Sequence, residues 1–108
     1  MTIRPGEFWV AEISYTDAKS SKRRPVLVLW LDGEDVVVAA VTSAAPRTGT
    51  DVALISWSKS GLRVSSTVRL SRLDCLEQSL LHRRLGMLQS KDAALIRDTW
   101  SRLIKPAF

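Results

Sequence analysis

The sequence predicts a mainly β fold with a C-terminal helix: a small, strongly bent antiparallel sheet or partly open barrel. Three observations point there. Two six-residue apolar runs, 26–31 and 36–41, flank the turn Asp32-Gly33-Glu34, and Asp-Gly between β-branched runs is a strong hairpin signal. Further short strand-like segments lie between turns marked by Gly and Pro. A sustained helical period begins only after Ser90.

The elements follow in order. Residues 8–14 mix apolar and polar side chains after Pro5-Gly6 and read as a first strand. Residues 15–24 are too polar for a core and read as an exposed loop. Pro25 opens the strand 26–31, where no ladder donor is needed. Residues 35–41 return from the turn, ending at Thr42 and Ser43; both arms are continuously apolar and read as central strands. A loop over 44–50 holds Pro46 and Gly49, 51–57 reads as a strand, and 58–62 turns around Gly61. Residues 66–73 alternate, with Val68, Leu70 and Leu73 inward and Arg69, Ser71 and Arg72 outward. Residues 77–84 suit a short helical turn, and 85–88 suit a closing strand or a linker. Ser90 is a good N-cap, Asp92 complements the helix dipole, and Leu95, Ile96, Thr99, Trp100 and Leu103 share one helical face.

Length and composition bound the class. A chain of 108 residues, 45% hydrophobic and 25% charged, is expected to be a single domain over 1–108 with a small core. Neither apolar run approaches the roughly 20 residues of a membrane span, and no secretion signal opens the chain. One cysteine excludes an internal disulfide framework, so the expected address is the cytoplasm. One Cys and one His also argue against a zinc site, and no cofactor is expected.

The charge is uneven. Residues 1–60 are neutral overall, whereas 61–108 hold nine basic and four acidic side chains; eleven of the sixteen cations are Arg. Arginine suits bidentate contacts to phosphate, and the balance points to a polyanion or an acidic partner. His82, among cations, reads as a structural residue, and Cys75 as a small buried apolar group. Trp9 and Trp100 read as core. Trp30 and Trp57 lie near strand ends, where stacking on a base competes with packing in the core or a dimer interface.

The polar side chains at strand ends offer the best chemistry. A tight hairpin brings the far ends of its arms together, which sets Arg24 opposite Ser43 or its neighbour. A guanidinium and two hydroxyls then converge below the cations Lys22 and Arg23. That arrangement suits a phosphate pocket; an arginine that merely caps the sheet end suits the geometry equally.

At this point the chain resembles a known family. The pieces are Arg4-Pro-Gly-Glu-Phe-Trp, Ser21-Lys-Arg-Arg-Pro-Val-Leu-Val-Leu, Val41-Thr-Ser, Ser66-Thr-Val-Arg-Leu after a Gly-Leu turn, and Leu85-Gly-Met-Leu before a helix opened by Ser-Lys-Asp. In order and spacing they are similar to the MazF/PemK (Kid-like) toxins of type II toxin–antitoxin modules. The resemblance implies an SH3-like small barrel with a C-terminal helix, a homodimer, a cognate antitoxin with an acidic tail, and metal-independent, sequence-selective cleavage of single-stranded RNA. It implies catalytic roles for Arg24, Thr42, Ser43 and Arg69, with Lys22, Arg23 and Ser71 contacting RNA. Many members have an acid two residues after the strand arginine, where this chain has Ser71, and some have a His in the first loop, where it has none. Asp17 and Glu12 are then the candidates for the general base. The same fold also serves non-catalytic toxins that bind a topoisomerase, and RNA-binding modules without catalysis form a further alternative.

Overall fold

The computed structural model describes residues 2–14 and 21–108. Their strands are β1 (Glu7–Ser14), β2 (Ser21–Asp32), β3 (Asp35–Thr42), β4 (Asp51–Ala53), β5 (Thr67–Glu77) and β6 (Leu81–Met87), followed by the helix α1 (Ser90–Leu103). The strands form one antiparallel sheet, ordered β4-β5-β3-β2-β1-β6. The expected mainly β fold with a C-terminal helix is therefore present, and the sheet bends into an open, barrel-like form. Among the described residues no helix is long and apolar enough to cross a membrane.

Alternation along the central strands gives the sheet two apolar faces, because successive side chains point to opposite sides. On one face Phe8, Leu27, Ala39, Val41, Val68 and Leu70 pack with Ile96 of α1, and Trp57 and Trp100 lie against them. On the other face Trp9, Ala11, Val26, Val28, Val36 and Val38 pack with Leu76 and Leu81. This double burial is why β2 and β3 read as continuous apolar runs.

One irregularity lets β5 serve both faces. Ala39 pairs with Leu73, yet the next residue, Ala40, pairs with Arg69. Leu70, Ser71 and Arg72 are extra residues in β5, and an odd insertion swaps the face of everything beyond it. Val68 thus faces the first core and Leu76 the second.

Several boundaries differ from the sequence reading. β2 starts at Ser21, so Lys22, Arg23 and Arg24 belong to the strand and not to the preceding loop. β1 holds them there by pairing Ile13 with Lys22, Glu12 with Arg23 and Ala11 with Arg24. Residues 15–20 lie outside the described residues. β4 stops at Ala53, short of the expected 57, because the chain turns toward α1. The buried Asp92 carboxylate accepts the N–H groups of Ile55 (2.8 Å) and Ser56 (2.9 Å). Asp92 is therefore a clamp between helix and sheet, a role beyond dipole compensation.

β5 runs on to Glu77, and only residues 78–80 of the expected 77–84 turn are helical, as a 3-10 turn. The rest is β6, held by pairing to β1. Cys75 is exposed, not buried; burial effects and then the nearby Asp35, Asp32 and Asp74 push its thiol pKa up. Leu73 is also exposed, since it borders the insertion, and Leu95 and Leu103 sit at the exposed margins of α1. Gly61 (φ +88°) closes the 3-10 turn Ser58–Ser60 against β6, where a Cβ would meet the Leu85 carbonyl oxygen at 2.0 Å.

The clamp sets a stability expectation. Asp92→Ala should cost about 2 kcal/mol, since two backbone donors lose their acceptor. Urea denaturation measures it, and an unchanged midpoint would show that solvent satisfies both donors.

Candidate functional site

The second face of the sheet does not stay apolar to its end. Along β2 the sequence on this side is Val28, Val26, then Arg24; along β3 it is Val36, Val38, Ala40, then Thr42; along β1 it is Trp9, Ala11, then Ile13. The β2–β3 ladder ends at Val26 and Ala40, and Arg24 and Thr42 lie two residues beyond it on the same face. A cleft of about 380 Å³ opens at this polar end, lined by Ile13, Arg24, Thr42, Asp51, Arg69 and Arg72, with Ala44, Ala45 and Arg47 from the following loop.

Arg69 reaches the cleft because β5 joins β3 there, opposite Ala40. The insertion that follows brings Arg72 to the same cleft. Four guanidinium-bearing residues thus line one concavity, which favours an anion, and arginine's planar fork suits phosphate oxygens.

One carboxylate sits among them. Asp51 is the cross-strand partner of Arg69, and its side chain is 1% exposed. Its Oδ1 accepts from Arg69 Nε at 3.2 Å, and its Oδ2 from the Arg47 N–H at 2.9 Å. Burial by itself pushes the carboxyl pKa up, but the Arg47 N–H and then the Arg69 guanidinium outweigh it and hold the value below the ordinary 3.8. Asp51 is therefore an anion with committed oxygens. Thr42 is oriented as well: its Oγ1 accepts the Ala44 N–H at 3.2 Å, which leaves the hydroxyl hydrogen to be donated elsewhere.

Of the residues singled out from sequence, the cleft brings together Arg24, Thr42 and Arg69. Lys22 shares its face through the pairing with Ile13. Ser43 and Ser71 are exposed and outside the lining. Arg23 pairs with Glu12 on the opposite face, where the Glu12 carboxylate lies 3.6 Å from His82 Nε2. Asp17 lies outside the described residues. Sequence reasoning missed Asp51, Arg47 and Arg72. A signal for Asp51 existed, since Gly61 lies almost midway between it and Arg69, as the apex of a hairpin pairing the two. Among the described residues no three His, Cys, Asp or Glu side chains gather as a metal site.

A second carboxylate paired with an arginine holds the opposite end of β1. Glu7 accepts from the Arg4 N–H at 2.7 Å, from Trp9 Nε1 at 3.1 Å and from Arg84 Nε. Burial pushes its pKa up, but Arg84 and the other donors prevail and leave it below the ordinary 4.5.

With this geometry in place, the comparisons identify the class. The family model of PemK-like, MazF-like toxins of type II toxin–antitoxin systems matches residues 4–103, and the chain belongs to that family. No curated protein sequence matches it. Solved structures share its fold. A mycobacterial endoribonuclease in complex with its cognate antitoxin is 17% identical with TM-score 0.76, covering 97% of this chain and 98% of that one. A MazF toxin of Mycobacterium tuberculosis is 24% identical with TM-score 0.70, covering 89% and 91%. MazF from Deinococcus radiodurans is 22% identical with TM-score 0.72, covering 96% and 97%. At these identities the likeness establishes the fold.

The two arginine-paired carboxylates, Glu7 and Asp51, predict an acid response. Both have folded pKa values below their unfolded ones, so their contribution is present above the unfolded values and is lost as pH falls through the folded ones. The denaturant midpoint should therefore drop below about pH 4. Glu7→Gln should flatten that drop; a variant with the wild-type slope would remove Glu7 from the acid response.

Proposed function

We propose that this toxin is an endoribonuclease that cuts single-stranded RNA by attack of the 2′-hydroxyl on the adjacent phosphorus. The observation that carries the reading is the arginine-lined cleft at the polar end of the β2–β3 hairpin, with Arg24, Thr42 and Arg69 together in its lining. The solved relative described as an endoribonuclease with its antitoxin supports it by fold.

The chemistry needs a base for the 2′ proton, cations for the phosphorane and a proton for the departing 5′ oxygen. The 2′ oxygen bonds to phosphorus, the bond to the 5′ oxygen breaks, and the upstream strand ends in a 2′,3′-cyclic phosphate. Arg24 and Arg69 supply fixed donors to the phosphorane oxygens. Arg24 serves chiefly this charge, because a guanidinium with a pKa above about 12 is a poor proton donor. Thr42 donates its hydroxyl hydrogen to the phosphate or orients the 2′-hydroxyl, and Ser43 contributes from the rim. Lys22 and Ser71 follow the RNA strand outside the cleft, whereas Arg23, on the opposite face with Glu12, drops out of this path.

Asp17 is the favoured base. It is the carboxylate of the polar stretch 15–24 in the sequence. Glu12, the alternative, faces His82 on the other side. No metal is needed: four cationic side chains repel a divalent ion, and the Asp51 oxygens are already committed. The reading includes a single domain over the whole chain, a homodimer, a cytoplasmic site of action, and a cognate antitoxin whose acidic tail occupies the arginine-rich cleft.

Labelled RNA and DNA oligonucleotides test this. Cleavage should persist in excess EDTA, leave a 2′,3′-cyclic phosphate and fail where the attacking nucleotide is deoxy. Arg24→Ala should lose at least about a hundredfold in rate. Abolition by EDTA, or cutting of an all-deoxy strand, would sink the mechanism.

The missing acid at position 71 gives a graded check. Ser71→Asp should accelerate cleavage if the absent carboxylate limits the rate. With Asp17 as the base, Asp17→Asn should fall by about a hundredfold or more, and Ser71→Asp, outside the cleft lining, should not restore it. Full activity in Asp17→Asn would remove Asp17 from the mechanism.

A further inference from the structure

We propose that Asp51 is a positioning residue that holds Arg69 for the phosphate and, with its second oxygen, fixes the loop forming the cleft wall. The inference rests on the proposed ribonuclease reading and assigns a role that the sequence did not suggest.

The argument starts from burial. A carboxylate whose side chain is 1% exposed must be matched by donors or its desolvation destabilises the fold. Here both oxygens are matched, each by a different part of the cleft. Oδ1 takes the Nε–H of Arg69. A guanidinium held by Nε keeps its terminal nitrogens for another acceptor, and Arg69 lines the cleft. The backbone enforces the alignment, since Asp51 and Arg69 are direct cross-strand partners and the Leu70 N–H bonds the Thr50 carbonyl at 3.1 Å.

Oδ2 takes the Arg47 N–H, and the loop carrying Arg47 also provides Ala44 and Ala45 to the wall. One buried anion thus couples the position of a phosphate-binding cation to the shape of the cavity around it. Arg69 is the least exposed of the four lining arginines, at 23% for its side chain, whereas Arg24, Arg47 and Arg72 are exposed. An exposed arginine can adjust to a strand, but a half-buried one held by a carboxylate is preorganised for one point in it.

This role separates from a merely structural one. Loss of the Asp51 charge frees Arg69 and makes the cleft more positive. Binding of RNA should then hold or tighten while turnover drops, whereas simple unfolding would weaken both.

The experiment is a double-mutant cycle of Asp51→Asn and Arg69→Ala, read on RNA cleavage and on binding of a non-cleavable 2′-O-methyl oligonucleotide. Asp51→Asn should lower kcat by up to about a hundredfold with binding unchanged or tighter. In the Arg69→Ala background the same change should cost nothing further. Wild-type turnover in Asp51→Asn, or losses that multiply in the double variant, would overturn the proposal. Nitrogen-15 spectra of the wild-type protein add an arm that needs neither catalysis nor a folded variant. The Arg69 Nε–H should be protected from exchange, and a rapidly exchanging signal would overturn the proposal. If wild type cuts no RNA, the ribonuclease reading fails, and the protected Nε–H together with binding coupled between Asp51 and Arg69 still supports the positioning role.

Discussion

The break in register between β3 and β5 is the constraint on which the cleft and both cores depend. Without the three extra residues, a β5 strand in phase with Val41 and Val68 would point its far half toward the first core. Leu76 would leave the second core, and the sheet would lack the bend that brings the strand's distal end over Trp9, Val26 and Val36. The insertion also sets the end at which Arg69 and Arg72 meet the β2–β3 hairpin. Packing and site thus share one cause: a strand that must change face has to break its ladder somewhere, and the break falls beside the cleft.

Two buried carboxylates paired with arginines complement that architecture. Glu7 binds an N-terminal N–H, an indole and Arg84, tying β1 to β6. Asp51 ties β4 to β5 and to the preceding loop. Each compensates a buried negative charge with an arginine and a backbone donor, which is the condition under which such a charge is tolerated. Their difference lies in what the arginine faces. Arg84 is half-exposed on the surface and structural; Arg69 turns toward a concavity that also holds Arg24 and Thr42.

What was legible in the sequence follows from locality. The Asp32-Gly33 turn and the apolar runs fixed the central hairpin, so the proximity of Arg24 to Thr42 could be read within a residue. The helix was legible through its period, although Ser90 is its first helical residue and Gln89, not Ser90, stands at the cap, without a side-chain cap bond. The insertion in β5 was not legible, although the two polar residues Ser71 and Arg72 between Leu70 and Leu73 interrupt the strict alternation, because a single doubled polar position does not say how many residues bulge. Leu73 and Cys75 were misplaced for that reason. The early end of β4 depends on Asp92, whose contacts lie 36 and 37 residues away. β6 looked helical because His82, Arg83 and Arg84 have no strand preference; its pairing with β1 overrides local propensity. Asp51 escaped notice because its partner Arg69 is 18 residues distant and its importance comes from burial.

The charge pattern around the cleft argues for economy in how such a toxin is controlled. Asp51 is the carboxylate among four lining arginines. An uncompensated positive concavity attracts any flexible polyanion, because its potential is summed over the cluster and acts before contact. On the proposed reading, RNA and an acidic antitoxin tail compete for the same field, so the feature that recruits substrate also makes inhibition available without a second site. Preorganisation then discriminates between them. A tail needs only charge and can adjust to Arg24, Arg47 and Arg72, whereas cleavage needs one phosphate aligned with an arginine that cannot move. The buried Asp51–Arg69 pair supplies that fixed point.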